Sequence, residues 1–236
     1  MYKTETFTYV RRRIMSEYKH YDNIKDIISN EIEALKNIKT IAPDDPPDIY
    51  LYMDQVTAFL RDHLMNNNVH DDDKLLTKTM INNYTKKKLL PPPVKKKYSK
   101  QHLYFLTLIY YYKNFLTIDE IHDLLEPITE KYSENDSVAM EYTYRCYSKI
   151  HKMCSDQQEG IMADIKDDLT TVRKMIEDAK QEGEIDFSDE IEDYLELFLL
   201  ITVISNDIYY KKVLIENLIG NYAQLNKDKK NKEKDK

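Results

Sequence analysis

Leu76-Thr77-Lys78-Thr79-Met80-Ile81-Asn82-Asn83-Tyr84-Thr85-Lys86-Lys87-Lys88-Leu89-Leu90-Pro91-Pro92-Pro93-Val94-Lys95-Lys96-Lys97-Tyr98-Ser99-Lys100-Gln101-His102-Leu103 is the stretch on which the reading of this chain turns. Thr77 suits the N-cap of a short helix reaching about Lys86, with Met80, Ile81 and Tyr84 on its inner side and Asn82, Asn83 and Lys86 pointing outward. The proline run 91–93 predicts an extended segment carrying Lys95, Lys96 and Lys97, and Ser99 can cap a second helix to about Asn114. That second helix is apolar nearly all round, so it is expected to be buried.

From Lys74 to Lys100 there are nine lysines and no acidic residue, although the whole chain of 236 residues carries a net charge of −7. Removing the window's +9 leaves −16 on the remainder, so the window is no by-product of a basic composition. Lys, Asn, Ile and Tyr are used heavily throughout, and it is therefore the clustering of lysine, rather than its total, that carries the argument. A local field of one sign on a fragment with its own helix signals is the footprint of a surface that meets a polyanion.

Outward from this stretch the pattern remains helical. Three glycines, seven prolines of which six fall in two clusters, and abundant Leu, Ile, Lys and Glu predict an all-α fold. A first amphipathic helix is expected from Ser16 to Ile38, and Pro43, Pro46 and Pro47 mark a linker after it. Ile49 to Leu64 reads as another helix, through Leu51, Met53, Val56, Phe59, Leu60 and Leu64, ended by a turn at Asn66–Asn68 and Asp71–Asp73. Thr117 to Glu120 fits a capping box for a helix stopping near Pro127. Beyond it the chemistry changes: residues 116–225 carry twenty-five acidic and ten basic side chains. There Met162, Ile165, Leu169, Val172, Ile176 and Ala179 form a heptad-like stripe closed by Gly183, suited equally to a bundle or a dimer seam. Ser188 can cap a last long helix, bent near Asn206-Asp207, and from Asn226 the polar sequence reads as a disordered tail.

The expected organisation is thus a helical arm and linker at 1–48, a DNA-binding head at 49–128, an acidic helical domain at 129–225 and a tail at 226–236. Met1 to Thr8 does not read as a secretory leader, and the apolar run 194–204 is about half the length of a membrane span. A cytoplasmic protein without a membrane segment is expected, with Cys146 and Cys154 as free thiols.

Chemistry-bearing motifs are sparse. Isolated glycines at 160, 183 and 220 exclude the common nucleotide-binding fingerprints. Cys146, His151 and Cys154 lack zinc-ligand spacing, since the cysteines are eight apart. His63, His70, His102 and His122 have no nucleophile pattern beside them. Carboxylate pairs such as Asp167-Asp168 and Asp189-Glu190 read as solvated faces. No enzymatic activity, cofactor or metal is expected.

Thr79 to Pro91, followed by Lys97-Tyr98-Ser99 and the helix reaching Thr117 to Ile121, resembles the recognition helix, wing and supporting helices of MerR-type winged helix-turn-helix regulators. Those regulators usually carry arginine where Asn82 stands and glycine where Lys88 stands, and a longer wing. The stretch from Leu51-Tyr52-Met53-Asp54-Gln55 through Lys100 is similar to the bacterial domain-of-unknown-function family 1836, over about 49–128. The resemblance implies a sequence-specific transcriptional regulator with a helix-turn-helix and a short wing-like loop. Lys78, Asn82, Asn83 and Lys86 are then expected in the groove of double-stranded DNA, and Lys87, Lys88, Lys95, Lys96, Lys97 and Lys100 near phosphates. A homodimer through the acidic helical domain would match two half-sites. The competing expectation is a helical adaptor whose lysines dock an acidic protein partner.

Overall fold

The computed structural model describes residues 23–64, 75–129, 137–183 and 189–234. The beginning of the expected first helix, the Asn66–Asp73 turn and the Ser188 cap lie outside these residues. The elements are α1 (Ile24–Ala34), β1 (Leu51–Tyr52), α2 (Met53–Leu64), α3 (Lys78–Lys86), β2 (Lys97–Tyr98), α4 (Lys100–Tyr112), α5 (Ile118–Thr129), α6 (Ser137–Gln181) and α7 (Asp189–Lys234). The protein is mostly helical, and its two short strands pair antiparallel with Leu51 opposite Tyr98 and Tyr52 opposite Lys97.

The head is built around α4, whose residues from Gln101 to Tyr110 are all buried. Against it pack Val56, Leu60 and Leu64 of α2, Ile81 and Tyr84 of α3, and Ile121 and Leu125 of α5. The spacing of four along α2 puts its three apolar side chains on one face. Burying a side chain such as Ile81 completely contributes about 1.5–3 kcal/mol. Leu51 and Tyr52 extend as a strand before α2 rather than belonging to the helix. Pairing with β2 and a hydrogen bond from the Tyr52 N–H to Gln55 Oε1 at 2.8 Å hold them, and alternation buries Leu51 while exposing Tyr52.

The proline-rich segment expected to be a linker is part of this core. Ile41 is completely buried. The Tyr147 hydroxyl donates to the Ile41 carbonyl at 2.7 Å, the Tyr104 hydroxyl to the Pro43 carbonyl at 2.6 Å, and the Tyr144 hydroxyl to Asp44 at 3.3 Å. Proline withholds N–H donors but leaves carbonyls free, and three tyrosines take them or their neighbours. Burial raises the Tyr104 and Tyr147 hydroxyls well above the ordinary tyrosine range, so both remain proton donors.

α6 and α7 are each about 68 Å long at 1.5 Å per residue. They are joined through Gly183, which takes a left-handed φ of 71° past the end of α6. α6 starts against the head through Tyr144, Tyr147 and Ile150, and α7 returns to it through Ile215 and Ile219. At the far end Ile28 and Ile32 of α1 pack with Leu169 and Leu200 in a second, smaller core. Lys166–Glu33 at 2.8 Å, Lys25–Asp193 at 3.0 Å and Arg173–Glu196 at 2.8 Å tie the three helices together there. Met162, Leu169, Val172 and Ile176 are all buried within the chain, so the heptad-like stripe of α6 serves the bundle.

Two further boundaries differ from the sequence expectation. α5 continues through Pro127 to Thr129. α7 continues past Asn226 to Lys234, so the described part of the stretch read as a disordered tail has a helical backbone. Lys, Glu and Asn include no helix breaker, and continuation from a preformed helix avoids the nucleation cost.

Candidate nucleic-acid interface

α3 starts as its sequence dictates. Thr77 accepts a hydrogen bond from the Met80 N–H at 3.2 Å, and the helix buries Ile81 and Tyr84 while exposing Lys78, Asn82, Asn83 and Lys86. Its C-terminus closes with the Leu89 N–H donating to the Tyr84 carbonyl at 3.0 Å and the Lys88 N–H to the Thr85 carbonyl at 3.2 Å. That is the Schellman arrangement, with buried Leu89 and Tyr84 as its apolar contact. It requires a left-handed residue at position 88, and Lys88 supplies it with φ 62°.

The segment after the prolines is a tight hairpin turn rather than an extended run. The Lys97 N–H donates to the Val94 carbonyl at 2.9 Å, and Lys95 and Lys96 between them have φ values of 49° and 64°. Positive φ at both central residues is the type I′ pattern, whose twist matches the strands it joins and which normally selects Asn or Gly. The turn places exposed Lys95 and Lys96 at its tip.

The second helix of the stretch is capped by an unusual partner. The Ser99 N–H donates to His102 Nδ1 at 3.0 Å, and Ser99 Oγ lies 2.8 Å from the same nitrogen. Nδ1 is therefore the acceptor, and the ring proton sits on Nε2, towards backbone acceptors at Pro91 and Pro92. Burial holds this imidazole down to about 4, opposed by those two backbone contacts.

The ten candidate residues fall into two groups. Lys78 is ion-paired with Asp54, Lys100 with Asp48 at 3.0 Å, and the Lys97 ammonium sits 5.1 Å above the Tyr52 ring. Lys86, Lys87, Lys88, Lys95 and Lys96 are exposed and make no ion pair among the described residues. Asn82 and Asn83 are exposed beside them on α3. Asp48, Asp54 and Tyr52 were not read from the sequence as partners of these lysines, although β-type alternation in Leu51-Tyr52 and Lys97-Tyr98 was the signal that could have found the last. An exposed pair such as Lys78–Asp54 contributes about 0–1 kcal/mol, so Lys78 can exchange its carboxylate for another anion.

Other chemistry is thin. Among the described residues no group of three or more His, Cys, Asp or Glu is gathered as a metal ion would need, and no helix is long and apolar enough to cross a membrane. Cys146 and Cys154 are both free thiols.

No curated protein and no solved structure matches the chain. A family model does, and it spans most of the head, whose core runs from Ile41 in the proline strap to Tyr147 in the first turns of α6 and takes in Ile219 of α7. Residues 41–149 match the family described as Domain of unknown function (DUF1836), which extends the likeness beyond 49–128 at both ends.

Proposed function

We propose that the head docks on double-stranded DNA as a sequence-specific, helix-turn-helix type transcriptional regulator, with α3 in the major groove and the Val94–Lys97 turn as a short wing. The observation that carries this reading is the backbone of Lys88, Lys95 and Lys96. A left-handed conformation costs an L residue about 1–2 kcal/mol, and glycine or asparagine would remove most of it at each site. Strain held at three positions of one cationic surface is the kind of feature that persists for function. The common property of the three residues is a charge that neither glycine nor asparagine supplies. Those charges suit phosphates, while Asn82 and Asn83 are of the type that pairs with an adenine edge.

Selection of duplexes from a random pool by the full chain tests this reading. Enrichment of a motif supports it, and indifference to sequence defeats it. A second reading has its own observation: Ile49, Tyr50, Tyr52 and Val94 are exposed near the lysine turn, an apolar fringe that suits an acidic protein partner. Salt-sensitive binding to acidic protein without preference among duplexes would favour that adaptor.

A further inference from the structure

Helix α7 carries large apolar residues that neither core covers. Tyr194, Phe198, Ile201, Ile208, Leu214 and Leu218 are each more than half exposed. Contiguous exposed side chains of this kind mark interaction sites.

The arrangement of these residues says what covers them. Tyr194, Ile201, Ile208, Ile215 and Tyr222 recur every seventh position, the period of a coiled-coil seam. The line reads the same in both directions about Ile208. Its flanks do too: Phe198 and Leu218 stand ten residues on either side of Ile208, and Ile191 and Leu225 seventeen. A second copy of the same helix, turned end for end, thus meets side chains of similar size at every level. Ile215 is half-buried against the head beside buried Ile219, so the open levels of the line are Tyr194, Ile201, Ile208 and Tyr222.

Charge selects that orientation over the parallel one. From Asp189 to Tyr210 the helix holds six acidic residues and no basic one, whereas from Lys211 to Lys234 it holds seven lysines and three acids. Antiparallel pairing sets each acidic half beside a basic half, and parallel pairing stacks like on like.

We propose that α7 is the self-association surface of this protein, pairing antiparallel with α7 of a second copy about a two-fold axis at Ile208. The inference deepens the DNA reading by giving it a dimer, but self-association stands on α7 alone. It also sets a distance. Ile219, where α7 enters the head core, is eleven residues from the axis, so the two copies of Ile219 lie about 33 Å apart along the helix. Half-sites one duplex turn apart are separated by about 34–36 Å.

Sedimentation of the full chain at micromolar concentration is expected to give a dimer, and Ile201→Glu with Ile208→Glu a monomer of unchanged helical circular dichroism. Orientation is read in a Cys146→Ser, Cys154→Ser background. Tyr194→Cys with Tyr222→Cys is expected to form a disulfide-linked dimer on oxidation, whereas Tyr194→Cys alone does not. A monomeric wild type, a folded glutamate variant that still dimerises, or efficient linking by Tyr194→Cys alone would each overturn the proposal. A monomer that instead co-floats with phosphatidylglycerol vesicles would assign the face to lipid. A dimer that binds no duplex would leave this proposal standing and remove the regulator, while a monomer that selects a motif would do the reverse.

Discussion

The Tyr147 hydroxyl reaches across 106 positions of sequence to donate to the backbone carbonyl of Ile41 at 2.7 Å. The bond joins the first turns of α6 to the proline strap, so the head is closed by a residue that the 49–128 boundary left outside. Tyr147→Phe keeps the ring stacked on Tyr104, at a centroid separation of 4.4 Å, but leaves the Ile41 carbonyl without this donor. The expected loss is about 1–2 kcal/mol, read as a fall in melting temperature of roughly 2–8 °C with the helical signal unchanged. An unaltered melting curve would show that the strap is not held by this bond.

Lys95→Asn with Lys96→Gly should move stability and DNA affinity in opposite directions. The Asn-Gly pair fits a type I′ turn, so the variant is expected to gain about 1–2 kcal/mol in denaturant unfolding. The same change removes two charges from the tip. The slope of log affinity against log salt should flatten by up to about two, at roughly 0.9 per phosphate contact. A stabilised variant with an unchanged slope would take the turn out of the DNA contact.

Acid should destabilise the head before its carboxylates titrate. His102 is buried and held down to about 4, below the 6.5 of the unfolded chain, so the unfolded state binds the extra proton between these values. Its contribution is complete above pH 6.5 and is lost as pH falls towards 4, at most about 3 kcal/mol. Glu33 and Glu120, held low by Lys166 and by Thr117, act only below about 4.5, which leaves the upper part of the window to His102. His102→Gln retains a capping-box acceptor without a titrating ring. Unfolding free energies measured from pH 7 to 4.5 are expected to fall in the wild type and stay level in this variant.

Asn82→Ala and Asn83→Ala test the choice of sequence apart from attraction. Both side chains are exposed on α3, so stability should change by less than about 0.5 kcal/mol. Discrimination against wrong bases should relax by about 1–3 kcal/mol, with the salt slope preserved. Equal affinity for all duplexes before and after substitution would end the groove assignment.

The two faces of α3 and the caps at Thr77, Ser99 and Thr117 were legible in the sequence because each depends on residues within four positions. The Val94–Lys97 turn was not. Its sequence has neither Asn nor Gly, and pairing of β2 with the distant β1 imposes a geometry that local preference would refuse. The strap was hidden for the same reason, since the tyrosines that hold it come from α4 and α6. Which lysines are neutralised was equally nonlocal: Lys100 finds Asp48 across 52 positions.

Between Leu200 and Ile219, where α7 touches first the distal core and then the head, residues 205–212 are exposed on every side. Among the described residues no side chain buries this span, so its hydrogen-bonded backbone carries the rotational phase between its two ends. One inserted residue would advance that phase by about 100° and the length by 1.5 Å. α6, which also reaches both cores, would then be out of step with α7. The two helices therefore act as a geared pair: residue count, rather than side-chain identity, sets the bearing at which the head meets whatever it binds.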